Sequence, residues 1–353
     1  MAICITGSGS YIPEIVKKNK DFIGNQFLNS DGSSFDVSNE EIIRKFQSIT
    51  GIEERRYAKK ELNASDLAFF ASMQAIADSQ IDKETIDYII VAHNFGDVRH
   101  NRKQSDLLPS LASRVKNKLE IINPNCICYD LIFGCPGWIE GVIHAQAFIK
   151  AKMAKKCLVI GAETLSRTYD TFDRDSMIYS DGAGATIIEE DNSSECGILS
   201  HKSCTFTTKE AFYLFFGESY KNDSESNERY IKMHGRRIYE FAITQVPKAL
   251  KECLEMSGKK IDEVKKIFLH QANEKMDEAI VNRFYKLYDL KKPINVMPMS
   301  IGKLGNSSVA TIPTLFDLVK KNKFKDHNLK KGDIILFGSV GAGMNVNAIT
   351  YQV

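Results

Sequence analysis

Cys135 stands in Asp130-Leu-Ile-Phe-Gly-Cys-Pro-Gly-Trp138, where a strand-like run meets Gly134 and a helix is expected to open at Pro136. A thiol in the first turn of a helix faces unpaired backbone N–H groups and the positive end of the peptide dipoles, which favour thiolate. Two more groups suited to work beside a nucleophilic sulfur lie downstream. They are His270 in Leu269-His-Gln-Ala-Asn273 and Asn306 in Gly305-Asn-Ser-Ser-Val-Ala-Thr-Ile-Pro313. Sulfur, imidazole and carboxamide together supply the nucleophile and hydrogen-bond donors that thioester chemistry needs.

Each residue has a plainer reading. A cysteine taken alone is most often a small buried hydrophobe. Here Gly134 and Gly137 flank it, as a sharp strand-to-helix turn requires, and Pro136 suits the first helical position. The backbone N–H of Cys135 could also meet an oxyanion. A lone strand-end histidine is commonly structural, yet His270 follows three apolar residues and precedes polar ones, where ligands gather in α/β folds. Asn306 alone would be a turn residue or a helix cap. Its functional reading depends on the other two.

The glycine clusters Ser180-Asp-Gly-Ala-Gly-Ala185 and Gly338-Ser-Val-Gly-Ala-Gly-Met344 lack the spacing of a phosphate loop. They read as close backbone packing, the second also as a source of an oxyanion-binding N–H.

The chain has 353 residues, 43% hydrophobic and 26% charged, with net charge +2. Such totals describe a globular protein with room for two domains, and bulk charge implies neither a nucleic-acid nor a membrane partner. Its 8 cysteines show no disulfide-framework or zinc-like spacing, so buried reduced thiols and a cytoplasmic location are expected. The first residues do not read as a signal peptide, and no apolar run approaches the roughly 20 residues of a membrane span.

Buried strands are expected at Tyr88–Ala92, Cys157–Ile160, Ala185–Ile188, Ile267–Leu269 and Ile334–Phe337, and helices at Asp66–Ala77, Ile139–Lys152, Ile238–Met256, Met276–Tyr288 and Thr311–Lys321. Their alternation argues for an α/β protein with sheets covered on both faces. A weak repeat relates Met73–His93 to Leu250–His270: helix, Ile-Asp turn, apolar strand, histidine. It suggests two similar halves, 1–195 and 196–353, divided near Glu189–Glu195. Glu218–Glu228 is polar enough for a surface loop.

The ordered set Phe-Gly-Cys-Pro-Gly, Ser-Asp-Gly-Ala-Gly-Ala, Tyr-Ile-Lys-Met-His-Gly-Arg, His-Gln-Ala-Asn, Gly-Asn-Ser-Ser-Val-Ala-Thr-Ile-Pro and Gly-Ala-Gly-Met resembles β-ketoacyl-acyl-carrier-protein synthase III of the thiolase superfamily, as does Thr50-Gly-Ile-Glu-Glu-Arg-Arg56. The resemblance spans nearly the whole chain. It implies a five-layered αβαβα fold of two thiolase-like halves, a homodimer, and a fatty-acid or related lipid biosynthetic acyltransferase. Cys135 would accept the acyl group, and His270 and Asn306 would act on a malonyl-type or β-ketoacyl thioester. The N–H groups of Cys135 and Ala342 would form the oxyanion hole. Asn273, Gly235, Phe133 and Leu108 would contact substrate, Leu108 by reaching the partner's tunnel, and Lys275 would meet the acyl carrier protein. No metal or redox cofactor is implied; substrates travel as coenzyme A or carrier-protein thioesters.

Departures from the family pattern point to a specialised branch. Leu131-Ile-Phe-Gly134 replaces small residues before the nucleophile, and Lys45 and Ile49 stand where a tryptophan and an arginine grip coenzyme A. Glu240 replaces a basic residue, and there are extra residues between Lys20 and Asn39 and around Val98–Asp106. The long segment before Thr50 and the nucleophile's context are similar to ketosynthases that join two long acyl thioesters into dialkylresorcinol lipids. A hydroxymethylglutaryl-type synthase would use a glutamate or second cysteine rather than Gly-Asn-Ser. A non-catalytic partner subunit would have lost the nucleophile, and a metal protein using Cys126, Cys128 and Cys135 lacks ligand spacing.

Overall fold

The computed structural model describes residues 2–191, 196–221 and 227–353. Parts of the expected boundary at 189–195 and of the expected loop at 218–228 lie outside those residues. The first sheet contains β1 (Ala2–Tyr11), β2 (Tyr88–His93), β3 (Ile127–Ile132), β4 (Lys156–Thr164) and β5 (Asp181–Asp191), in spatial order β1-β5-β4-β2-β3. Strands β2, β3 and β4 are mutually parallel, and β5 is antiparallel to both its neighbours. Then come β6 (Gly197–Thr205), a separate hairpin of β7 (Leu214–Glu218) and β8 (Arg229–Met233), and β9 (Val264–Leu269), β10 (Ile334–Gly341) and β11 (Asn345–Gln352). The second sheet has the order β6-β11-β10-β9, with β9 and β10 parallel. Every strand of the first sheet thus precedes residue 192, and every strand of the second follows residue 196.

The principal helices are α1 (Asn39–Thr50), α2 (Ala64–Ser79), α3 (Leu111–Lys118), α4 (Gly137–Lys150), α5 (Gly235–Met256), α6 (Glu274–Lys286) and α7 (Thr311–Lys320). Helices α2 and α3 cover the outer face of the first sheet, α4 and α7 lie between the sheets, and α5 and α6 cover the second. The result is the five-layered αβαβα arrangement expected. Patterning explains the layers. Helix α2 buries Ala64, Leu67, Ala68, Ala71 and Ala75, one stripe facing one sheet. Helix α4, pressed from both sides, buries Trp138, Ile139, Val142, Ile143, Ala145 and Ile149 around most of its circumference. Strand β2 is an uninterrupted apolar run because both its faces are covered.

This layering aims the important residues at one place. The carboxyl ends of parallel β2, β3 and β4 lead to Asn94, Cys135 and Glu163, and that of β9 leads to His270. At Gly161 the sheet touches the turn preceding α7, and a Cβ there would collide with the Val309 carbonyl oxygen.

Three expectations need correction. Cys4 and Cys196 are joined by a disulfide, their Cα atoms 6.0 Å apart, so the reduced-thiol reading holds only for the other six cysteines. Their separation of 192 positions hid a contact made by β6 starting beside β1. Pro136 caps α4 and Cys135 precedes the cap, rather than lying in the first turn. Ser180–Ala185 does not merely lead into a strand; all of it but Ser180 forms the start of β5. Among the described residues, no helix is long and apolar enough to cross a membrane.

Gly161→Ala should lower unfolding free energy by about 1–3 kcal/mol, because neither sheet nor turn has room to yield. Chemical denaturation measures this, and an unchanged midpoint would mean the turn is not held against the sheet.

Candidate active site

The nucleophile is placed by two interlocking turns. Gly134 adopts φ +75°, a left-handed conformation that swings Cys135 out of β3. Opposite it, β10 ends at Gly341, where a Cβ would lie only 2.7 Å from the Cys135 nitrogen. A Cβ on Gly134 would likewise come within 3.1 Å of the Ala342 nitrogen. Two glycines thereby let the backbone at Cys135 and the backbone at Ala342 approach each other closely.

Asn306 is pinned from the other side. Its main chain bridges the segment before β5, the nitrogen donating to Ile178 O at 2.9 Å and the oxygen accepting from Ser180 N at 2.9 Å. Its side-chain oxygen accepts from Ser308 N at 2.8 Å. With Oδ1 so engaged, the carboxamide N–H groups are the part left to donate. His270 leaves β9 with its backbone nitrogen donating to Gly338 O at 2.9 Å.

Ser308 joins these groups. It holds φ +52°, uncommon outside glycine. Its nitrogen orients Asn306 and its hydroxyl donates to Cys135 Sγ at 3.3 Å, while its main chain lies near enough to the His270 imidazole to favour the charged form slightly. That hydroxyl accepts from Asn94 Nδ2 at 3.0 Å. Asn94 donates in turn, through side chain and main chain, to Oε1 of buried Glu163.

Cys135, His270, Asn306 and Ala342 all line one cavity of about 260 Å³. Its remaining wall is chiefly apolar: Phe95, Leu165 and Ile178 on one side, and Leu214, Phe216, Ile231 and Met233 from the β7–β8 hairpin on another. Other residues singled out in the sequence lie elsewhere. Phe133, before the Gly134 turn, does not line the cavity. Neither does Gly235, at the start of α5, nor Asn273, whose side chain caps α6 by accepting from Met276 N at 3.1 Å. Lys275 borders a separate surface hollow with Gln47 and Ile49, and Leu108 is 88% exposed. Sequence reasoning missed Asn94, Glu163 and the hub role of Ser308. The only signals were a polar residue after the β2 strand-end histidine and a second serine after Asn306.

Burial governs the electrostatics. It pushes the Cys135 thiol up to about 11, opposed by the Ser308 hydrogen bond and reinforced by the charge of Glu163. This reverses the expectation of a thiolate favoured by the helix start. Burial also lowers His270 to about 4, so its imidazole is neutral near pH 7. Glu163 is raised to about 7 by desolvation, against its hydrogen bonds from Asn94 and the proximity of His93. Thiol, imidazole and carboxamide are therefore all uncharged at rest.

Comparison with known proteins identifies the family. Residues 129–205 match the family model for 3-oxoacyl-[acyl-carrier-protein] synthase III, and residues 254–353 match the model for its C-terminal part. The chain is 32% identical over 340 residues to β-ketoacyl-[acyl-carrier-protein] synthase III 1 of Vibrio vulnificus, covering 96% of each. It is 33% identical to the β-ketoacyl-[acyl-carrier-protein] synthase III of Caldanaerobacter subterraneus, covering 98% of this chain and 96% of that one. The crystal structure of the synthase III from Thermus thermophilus superimposes with TM-score 0.81 at 29% identity, covering 99% of this chain and 98% of that one.

His270 is charged in the unfolded chain below its ordinary value of 6.5 but stays neutral in the fold down to about 4. Between those values the unfolded state binds more protons, so stability contributed by this group is lost as pH falls. The His270→Asn variant should lose less unfolding free energy than the parent across that window. Equal losses in denaturant titrations of both proteins would contradict a neutral imidazole.

Proposed function

Because the chain belongs to the 3-oxoacyl-[acyl-carrier-protein] synthase III family, we propose that it is a ketosynthase of fatty-acid or related lipid biosynthesis. It transfers an acyl group to Cys135 and condenses it with a malonyl-type thioester borne by acyl carrier protein. The supporting observation is the convergence of Cys135, His270 and Asn306 on one chiefly apolar cavity, with Ser308 bonded to the first and the last.

In the first half-reaction Cys135 Sγ attacks the acyl carbonyl. The carbonyl oxygen gains negative charge between the N–H groups of Cys135 and Ala342. Collapse of the tetrahedral intermediate breaks the donor C–S bond, and the departing thiolate takes the proton given up by Cys135. The apolar wall accepts an aliphatic chain without leaving polar groups unpaired. In the second half-reaction the malonyl-type thioester presents its carbonyl to neutral His270 and to the Asn306 carboxamide. Loss of CO₂ leaves an enolate whose oxygen these donors stabilise. The enolate carbon attacks the acyl-cysteine carbonyl, forming a C–C bond and releasing the Cys135 thiolate, which regains a proton. No step as written calls for a metal or redox cofactor. Asn273 and Lys275, at the start of α6, are the residues we assign to contact with the carrier-borne arm.

We read residues 1–195 and 196–353 as two related halves, a reading supported by the division of strands between the sheets. A cytoplasmic location suits a nucleophilic thiol that must remain reduced. We also assign the working unit as a homodimer. Among the described residues strand β3 pairs only with β2, and on and near this edge Ile127 is 50%, Ile132 63% and Leu108 88% exposed. Exposed apolar edges invite pairing with a second copy. That pairing brings Leu108 towards the partner's cavity.

Asn306→Ala should acylate Cys135 at the parent rate but slow condensation by about 10²–10³-fold, the usual effect of removing one oxyanion donor. Single-turnover acylation and condensation rates separate the two, and equal loss in both would overturn the division of labour. Ile132→Lys should run as a monomer in light scattering; an unchanged mass would remove β3 from the interface.

A further inference from the structure

We propose that Asn94 is a positioning residue for the nucleophile, directing the Ser308 hydroxyl proton at Cys135 Sγ, with Glu163 holding Asn94 in place. This rests on Cys135 being the nucleophile of the reaction above.

The argument is one of donors and acceptors. A serine hydroxyl has one proton and free rotation about its C–O bond, so its direction is set by what else surrounds the oxygen. Asn94 Nδ2 lies 3.0 Å from Ser308 Oγ and can only donate. An incoming N–H occupies an oxygen lone pair and leaves the hydroxyl proton to point elsewhere, and Cys135 Sγ lies 3.3 Å away. The carboxamide must itself be kept the right way round. Reversed, its oxygen would accept the serine proton and take it from the sulfur. Glu163 prevents reversal, because Oε1 accepts both the Asn94 side chain and its main-chain nitrogen, the latter at 2.7 Å. A carboxylate offers no donor to a reversed amide oxygen. Glu163 is 1% exposed and reaches this position from the end of β4. His93, packed beside it from β2, favours its charge, and Asp181 from β5 opposes it.

Asn94 also separates charges. The carboxylate of Glu163 acts against a thiolate at Cys135, whereas the Ser308 hydroxyl acts for it. The amide lets the acid orient the serine without itself touching the sulfur. Nothing in this chain of bonds moves a proton. Its effect is on the thiol's readiness to ionise.

The test is iodoacetamide alkylation of the full-length protein from pH 6 to 10, followed at the Cys135 peptide by mass spectrometry. Cys128 and Cys204, also partly accessible, serve as internal references. Asn94→Ala should shift the Cys135 profile to higher pH and slow labelling at pH 7.5 by roughly 10-fold, as expected for a lost hydrogen bond to a charged group. Ser308→Ala should do the same. Combined, the two substitutions should be no slower than Ser308→Ala alone, because Asn94 acts through Ser308. An undiminished Asn94→Ala effect in the Ser308→Ala background would overturn the proposal, as would a parental profile for Asn94→Ala. If the parent protein is not acylated by any thioester, the functional reading fails. If it is acylated while the double-substitution result goes the other way, only the role of Asn94 fails.

Discussion

One left-handed residue holds the site together. Ser308 touches the sulfur with its hydroxyl and the carboxamide with its nitrogen, and its main chain lies beside the imidazole. It can do so only because its backbone turns at φ +52° and because the turn is pressed on Gly161 of β4. Displacing that serine would disorganise three groups at once, although they come from residues 135, 270 and 306.

The five layers make such a junction available. Two sheets sharing a central pair of helices bring the carboxyl ends of parallel strands from both sheets to a common region. The core around α4 and α7 draws on both sheets, with Ile3, Ile90 and Val159 from one and Phe268, Phe337 and Ile349 from the other. A rigid two-sheet frame can hold donors to fractions of an ångström, and the same dense packing strips water from the sulfur and imidazole. Desolvation explains why the resting groups are neutral. A neutral histidine offers an N–H to a developing enolate oxygen without forming an ion pair, and an uncharged cavity suits an aliphatic chain.

Much of this was legible in the chain. Tyr88–Ala92, Cys157–Ile160 and Ile334–Phe337 declared themselves as buried strands because both faces are covered, which removes polar alternation. Cys135, His270 and Asn306 stood out through glycines and strand ends that betray sharp turns. Other features were hidden for physical reasons. Asn94 and Glu163 are ordinary residues at strand ends, and their importance lies in two donors meeting one oxygen. The protonation of Cys135 depends on how much protein surrounds the sulfur, which helix-start reasoning does not capture. The Cys4–Cys196 bond joins residues 192 positions apart. The hairpin of β7 and β8 reads as a short aromatic run among polar residues, and only its placement over the cavity makes Phe216 and Met233 part of the wall.

The most direct test is to incubate the protein with an acyl thioester, digest it under mildly acidic conditions, and map the added mass. The account predicts one acyl group per chain on the peptide carrying Cys135, removable by hydroxylamine as a thioester should be. Acyl groups on Cys128 or Cys204 with Cys135 unmodified, or no adduct with any chain length, would contradict it.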